Sequence, residues 1–195
     1  VAAYMPNTIE TVEAFIATTS LGGIWSSCSP DFGTKGLIER FTQINPKVLF
    51  ITDQYFYNGK KIDILNRLPE ILKLIPSIKS VVISNYPGKK FIKNKYKFKK
   101  INLFKWNELM QTNAKKIDFK RFDFETELAI LYSSGTTGKP KCICHRSGGV
   151  LIQHMKEHQL HCNIKENDNV FYFTTCGWMM WNWLVSSLAS KASIV

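Results

Sequence analysis

Short apolar runs that alternate with amphipathic helical stripes predict an α/β fold, a mainly parallel sheet flanked by helices. Runs at 1–4, 48–52 and 81–83 carry no polar face, as strands covered on both sides require. Short turns link them to the stripes, which is the pattern of a sheet with helices packed on it. With 195 residues, 45% hydrophobic and 13% aromatic, the chain has the composition of a globular core-former. Its length suits one domain or one large piece of a bigger one.

After the first apolar run, Asn7 followed by Glu10 gives a helix start of capping-box type. Ile9, Val12, Phe15 and Ile16 then recur at helical spacing until Gly22 and Gly23 stop them. Residues 24–27 read as a second strand, and Pro30-Asp31-Phe32-Gly33 is turn chemistry. Leu37, Ile38, Phe41 and Ile44 form a second stripe that ends before Pro46, and 48–52 is a continuous apolar strand. A further helix is predicted over 62–75, followed by the strand at 81–83. Between Tyr86 and Lys105 stand eight lysines and no acid, interleaved with Phe91, Tyr96, Phe98 and Phe104. The partial alternation over 95–99 predicts an exposed edge strand or hairpin, and a short helix is predicted near 106–111. Residues 127–132 restore a buried strand, a helical stripe follows from Val150 to His158, and 192–195 read as a last strand. The chain thus divides into a first strand and helix alternation at 1–84, a lysine-rich excursion at 85–126, and a segment at 127–195 that carries the chemistry.

Charge is unevenly spread. Of the net +11, the whole excess lies between Lys79 and Arg121, where thirteen basic residues face two acidic ones; the other 152 residues carry thirteen of each. No run approaches the roughly 20 apolar residues of a membrane helix. The first six residues lack a basic region and reach Pro6, unlike a signal peptide. Five irregularly spaced cysteines in a chain of this size imply reduced thiols and a cytoplasmic protein. A first residue that is not Met, together with an apolar strand at each end, suggests an internal fragment of a longer polypeptide.

The most informative stretch is Tyr132-Ser133-Ser134-Gly135-Thr136-Thr137-Gly138-Lys139-Pro140-Lys141. Two glycines permit positive φ and let backbone N–H groups converge on an anion. Four hydroxyls add donors, and Lys141 adds positive charge at the end of the turn. An unbroken run of hydroxyl and glycine residues after a buried strand, closed by proline and lysine, is too ordered for an arbitrary surface turn. Nor is it the loop of common nucleoside triphosphatases, whose glycines are spaced Gly-x4-Gly-Lys; here Gly135 and Gly138 are three apart. The ten residues resemble the phosphate-loop signature of the adenylate-forming superfamily, which includes acyl-CoA synthetases, peptide-synthetase adenylation domains and luciferases.

Flanking residues narrow the resemblance. Leu21 to Gly33, Pro46 to Phe50, Tyr55 to Lys60, Leu160-His161-Cys162 and Thr174 to Asn182 are similar to the acetoacetyl-CoA synthetases, and the resemblance weakens only across 85–120. This implies a piece of the large N-terminal domain of an adenylate-forming enzyme, without its C-terminal domain and inactive by itself. It further implies ATP and coenzyme A as co-substrates, acetoacetate as the acid, and Mg2+ held by a residue outside this chain. Ser133, Ser134, Gly135, Thr136, Thr137, Gly138 and Lys141 would bind ATP, with Lys141 neutralising the departing pyrophosphate. Gly177, Trp178, Met179 and Met180 would line the acyl pocket, and Lys60 would lie near the coenzyme A nucleotide. A related enzyme acting on acetate, propionate or a hydroxy acid is the alternative.

Other readings weigh less. His154, His158, His161 and Cys162 fall at helical spacing, yet no further cysteine pair or carboxylate cluster completes a metal set, so a solvated helix face is expected. Cys142 and Cys144 are expected on alternating sides of an extended segment, poorly placed for chelation. His145 reads as a packing or hydrogen-bonding residue, because a carboxylate nucleophile needs no base. Trp178, Trp181 and Trp183 include one or two core positions. Asp31-Phe32-Gly33 matches a kinase motif by letters alone. A nucleic-acid-binding module working through 86–105 is the reading from another class, but four Arg against twenty-two Lys disfavour it.

Overall fold

The structure, a computed structural model, describes residues 1–89, 97–111, 116–133 and 138–195. Along the chain run β1 (Ala2–Tyr4), α1 (Ile9–Ser20), β2 (Ser26–Cys28), α2 (Gly33–Ile44), β3 (Val48–Thr52), β4 (Gln54–Tyr57), β5 (Lys60–Asp63) and α3 (Leu68–Leu74). They are followed by β6 (Ser80–Ser84), β7 (Asn102–Lys105), α4 (Trp106–Leu109), β8 (Glu127–Ser133), β9 (Lys141–Arg146), α5 (Ser147–Lys156), β10 (Asn169–Val170), α6 (Met179–Ser186) and β11 (Ser193–Ile194).

Five strands form one parallel sheet in the order β2-β1-β3-β6-β7. Strand period two sends alternate side chains to opposite faces. Ala2, Tyr4, Leu49, Ile51, Val81 and Ile83 meet α2 and α3 through Leu37, Phe41, Leu68 and Ile71. Ala3, Met5 and Phe50 point the other way, to α1 through Ala14 and Phe15 and to α6 through Trp181 and Val185. Both faces are therefore buried, which explains why the strands lack a polar side.

Strand β8 extends this sheet beyond β2. The Trp25 amide donates to the Leu128 carbonyl at 2.9 Å, and the Ile130 amide donates to the Trp25 carbonyl at 2.8 Å, a parallel bridge. Strand β9 returns antiparallel to β8. At the end of the described chain β11 pairs parallel with β10.

Local chemistry fixes the element ends. Helix α1 is capped from Thr8, not by the predicted box at Asn7, whose Nδ2 instead donates to the Thr174 carbonyl at 2.6 Å. It ends where the Gly23 amide donates to the Thr18 carbonyl. Helix α2 ends on Asn45 in the left-handed region (φ 46°), directly before Pro46.

Three further expectations need correction, and one hairpin was not foreseen. The second strand is Ser26–Cys28, shifted because Trp25 serves the bridge to Ala129. The helix predicted over 62–75 begins later: Ile62 belongs to β5, a 3-10 turn covers Leu65–Arg67, and α3 follows. Ile62 and Leu65 still contribute to the core, so apolar spacing alone did not separate hairpin from helix. The β4–β5 hairpin was missed although Asn58-Gly59 (φ 47° and 72°) is a type I′ signal directly after three aromatic residues. The predicted edge strand at 95–99 falls partly on 95 and 96, outside the described residues; 97–99 are not extended pairing residues, and the edge strand is β7.

Candidate active site

Two strand ends hold the phosphate-loop candidate. Ser133 closes β8 and Lys141 opens β9, and the two are paired partners. Ser134, Gly135, Thr136 and Thr137 lie outside the described residues. Gly138 and Lys139 are exposed, Pro140 is buried and Lys141 is exposed. The loop therefore joins two antiparallel strands, and the chain runs through all of β9 before it enters α5. Phosphate capture here would rest on loop amides, hydroxyls and Lys141, not on a helix N-terminus as in the nucleoside triphosphatase loop.

Side chains from β2 and α2 fix the base of this hairpin. Gln43 donates from Nε2 to the Pro140 carbonyl at 2.9 Å, and its Oε1 lies 3.7 Å from the Cys142 thiol. Ser26 Oγ donates to the Ile130 carbonyl at 2.9 Å and lies 3.0 Å from the Tyr132 hydroxyl. Burial raises the Tyr132 phenol above its ordinary range, so it remains neutral. The Arg40 guanidinium is 5.6 Å from the Tyr132 ring centroid and 4.3 Å from that of Phe32. Sequence reasoning did not select Gln43, Arg40 or Phe32. Arg40 carried a signal: it sits between Leu37 and Ile44 on the apolar side of α2, where a cation requires a partner.

Residues 177–180 form the turn into α6. Gly177 is packed so closely that a Cβ there would fall 2.7 Å from Phe32 Cε2. Trp178 is the helix N-cap residue, 45% exposed, with its ring centroid 5.8 Å from that of Phe32. Trp178 and Met180 line an open concavity of about 340 Å³ together with Tyr172, Phe173, Thr174 and Thr175. Met179 lines a different hollow, between β9 and α5, with His145 and His154. The four predicted acyl-pocket residues are contiguous, but their side chains address two spaces. Trp181 and Trp183 are core residues, as expected for part of the tryptophan cluster.

Lys60 is exposed at the start of β5, paired with Tyr57 across the Asn58-Gly59 turn. Nearby, Tyr55 stacks on Tyr57 at 6.3 Å, and burial together with a hydrogen bond to Asp31 raises the Tyr55 phenol.

The histidine and cysteine expectations change. His154 and His158 are buried, not on a solvated face; only His161 and Cys162 are exposed. His154 Nδ1 meets Ser186 Oγ at 2.8 Å, and burial, reinforced by neighbouring His158, lowers its pKa to about 4. The His158 ring packs against Trp183 at 4.5 Å. Cys142 and Cys144 lie two apart on β9 and so share one face, opposite Tyr132 and Ile130, because side-chain direction alternates every residue. Among the described residues no three His, Cys, Asp or Glu side chains converge to hold a metal ion. Cys28 and Cys176 are buried, which pushes the Cys28 thiol up to about 12.

The model of the family described as AMP-binding enzyme matches residues 1–195. The chain is 45% identical over 199 residues to an acetoacetyl-CoA synthetase of Gallus gallus, covering 100% of this chain and 30% of that protein. It is 46% identical over 194 residues to an acetoacetyl-coenzyme A synthetase of Rhizobium meliloti, covering 100% and 29%. The solved acetoacetyl-CoA synthetase from Streptomyces lividans superposes with a TM-score of 0.89 at 37% identity, again over 100% of this chain and 29% of the other. The chain spans about 30% of the length of the curated relatives it matches. Its parallel sheet, its loop between β8 and β9 and the match along all 195 residues place it in one family: the chain belongs to the AMP-binding enzymes.

Proposed function

We propose that the intact protein is an acetoacetate–CoA ligase. A carboxylate oxygen of acetoacetate attacks the α-phosphorus of ATP and the bond to the β-phosphate breaks, giving acetoacetyl-adenylate and pyrophosphate. The thiolate of coenzyme A then attacks the acyl carbon, and AMP leaves. What supports this most is identity of 45% and 46% to two acetoacetyl-CoA synthetases along the whole chain, with the segment around Trp178 included.

In this reading the loop from Ser133 to Gly138, with Ser134, Gly135, Thr136 and Thr137, binds the β- and γ-phosphates, and Lys141 neutralises charge as pyrophosphate departs. Trp178 and Met180 form one wall of the acyl pocket over Gly177, with Met179 on the neighbouring hollow. Lys60 is assigned to the nucleotide end of coenzyme A. Mg2+ enters with ATP, and no step is assigned to a metal-holding residue of this chain. The reading gives the lysine stretch no role and needs neither nucleic acid nor a membrane; no described helix is long and apolar enough to cross one. A cytoplasmic setting is supported by five free cysteines.

An ATP–pyrophosphate exchange assay on the intact protein across acetoacetate, acetate, propionate and 3-hydroxybutyrate tests the proposal. Exchange should be fastest with acetoacetate. Preference for another acid would reassign the enzyme to a related short-chain acyl-CoA synthetase.

A further inference from the structure

The Phe32 ring packs against the proposed acyl wall and is linked through Arg40 to Tyr132, at the base of the proposed phosphate loop. It sits at the end of a tight 3-10 turn, Pro30–Phe32, that follows β2. Ser29 holds this turn: its carbonyl accepts from the Phe32 amide at 3.1 Å, and its hydroxyl donates to Asp31 Oδ2 at 2.7 Å. The ring is therefore delivered from the parallel sheet itself. On one side it meets Gly177 so closely that no Cβ fits between them, and it packs beside the Trp178 ring at 5.8 Å with an interplanar angle of 43°. On another side it carries the Arg40 guanidinium at 4.3 Å. That cation is steadied by donation from Nη1 to the Gly36 carbonyl at 2.9 Å and also lies 5.6 Å from the Tyr132 ring. Tyr132 directly precedes Ser133, where the loop begins.

We infer that Phe32 is the positioning residue for Trp178: clamped by Arg40, it sets the angle of the indole and so the affinity of the site for its carboxylic acid. Three features favour this over mere packing. Trp178 is half-exposed and stands at a helix N-cap, so its own helix restrains it little. Gly177 gives up its side chain at the point where Phe32 passes. Arg40 stacks on the ring at 4.3 Å and so restrains it from a further side. The inference rests on the assignment of Trp178 to the acyl wall.

The test is steady-state kinetics of the intact enzyme with acetoacetate, or with whichever acid the exchange assay selects, for Phe32→Leu, Phe32→Tyr, Trp178→Phe and the Phe32→Leu/Trp178→Phe pair. Loss of an aromatic neighbour predicts that Phe32→Leu raises KM for the acid about tenfold. The KM for ATP should stay within about twofold, and Phe32→Tyr, which keeps the ring, should restore acid KM to within about twofold. The double variant should be less impaired than the product of the two single effects, because both changes disrupt one contact. Should Phe32→Leu fail to fold, Phe32→Met carries the same reading: it fills the volume without a plane. Independent, multiplicative effects of the two substitutions, or an unchanged acid KM in the Phe32 variant while Trp178→Phe raises it, would overturn this inference alone. An unchanged acid KM in Trp178→Phe would overturn the acyl-wall assignment itself, and this inference with it.

Discussion

Ser133 and Lys141 are direct partners across the β8–β9 hairpin, so their side chains leave the strands on the same face, at the mouth of the loop. Lys141 is exposed there, and among the described residues no carboxylate lies within ion-pair distance of it. A cation held in this way is available to an arriving phosphate. Lys141→Ala in the intact enzyme should slow pyrophosphate exchange by about 100-fold, the scale of losing one transition-state donor. The thioester-forming half-reaction, started from synthetic acyl-adenylate, should proceed unchanged; an unaltered exchange rate would remove the role given to Lys141.

Gly177→Ala would place a methyl group 2.7 Å from Phe32 Cε2. The ring would have to shift against the Arg40 guanidinium that stacks on it, and the substitution should cost about 1–3 kcal/mol as overpacking does. Urea unfolding measures this, and the same variant should bind the acid more weakly.

Thiol accessibility divides the cysteines. Cys142, Cys144 and Cys162 are exposed, whereas Cys28 and Cys176 are buried, with thiol pKa values raised by burial. A water-soluble disulfide reagent should titrate three thiols in the native protein and five after denaturation. Rapid reaction of all five under native conditions would contradict the packing of β2 against the segment before α6.

His154 ties stability to pH. Burial lowers its pKa from 6.5 to about 4, with His158 adding repulsion and Glu157 opposing it. A depressed value means that the folded state prefers the neutral ring. This contribution is therefore complete above about 6.5 and is lost as pH falls towards about 4. The urea midpoint should decline across that window, and His154→Gln, which cannot titrate, should decline less.

Ile51 is fully buried on β3, in the middle of the parallel sheet. Ile51→Ala should destabilise the fold by about 2–5 kcal/mol, through lost transfer energy and the cavity left behind. Denaturant titration gives the number.

Much of this was readable from apolar spacing. β1, β3, β6 and β8 are runs without a polar side, and α1 and α2 have clear stripes between stop signals. Position 62 failed because an isoleucine at helical spacing can equally be the inward residue of a hairpin, and here Asn58-Gly59 decided the matter. The histidines at 154 and 158 looked solvated because four-residue spacing says that two side chains share a face, not which face it is. At the candidate site, the segment from Tyr132 to Lys141 stands out in the sequence as a contiguous motif. Phe32 and Gln43 do not, since their roles come from contacts with residues distant in sequence, Trp178 and Pro140; for Arg40 the local signal is a cation on an apolar stripe, which says that it needs a partner but not that Phe32 and Tyr132 supply it.

The bridge between Trp25 and β8 sets an order of events during synthesis. Its two backbone bonds and the Ser26 contact with Ile130 join segments separated by 104 residues in the last case. Until the ribosome has released residue 130, the outer edge of β2 lacks the neighbour it has among the described residues, although β1, β3 and β6 can already have paired. Over the synthesis of those residues the nascent chain thus carries an open sheet edge, the kind of surface on which chaperones act and strand exchange begins. Arrival of β8 closes that edge, and the same strand leads directly into the proposed phosphate loop at Ser133. Delivery of the proposed phosphate loop and loss of the aggregation-prone edge are one step for this chain.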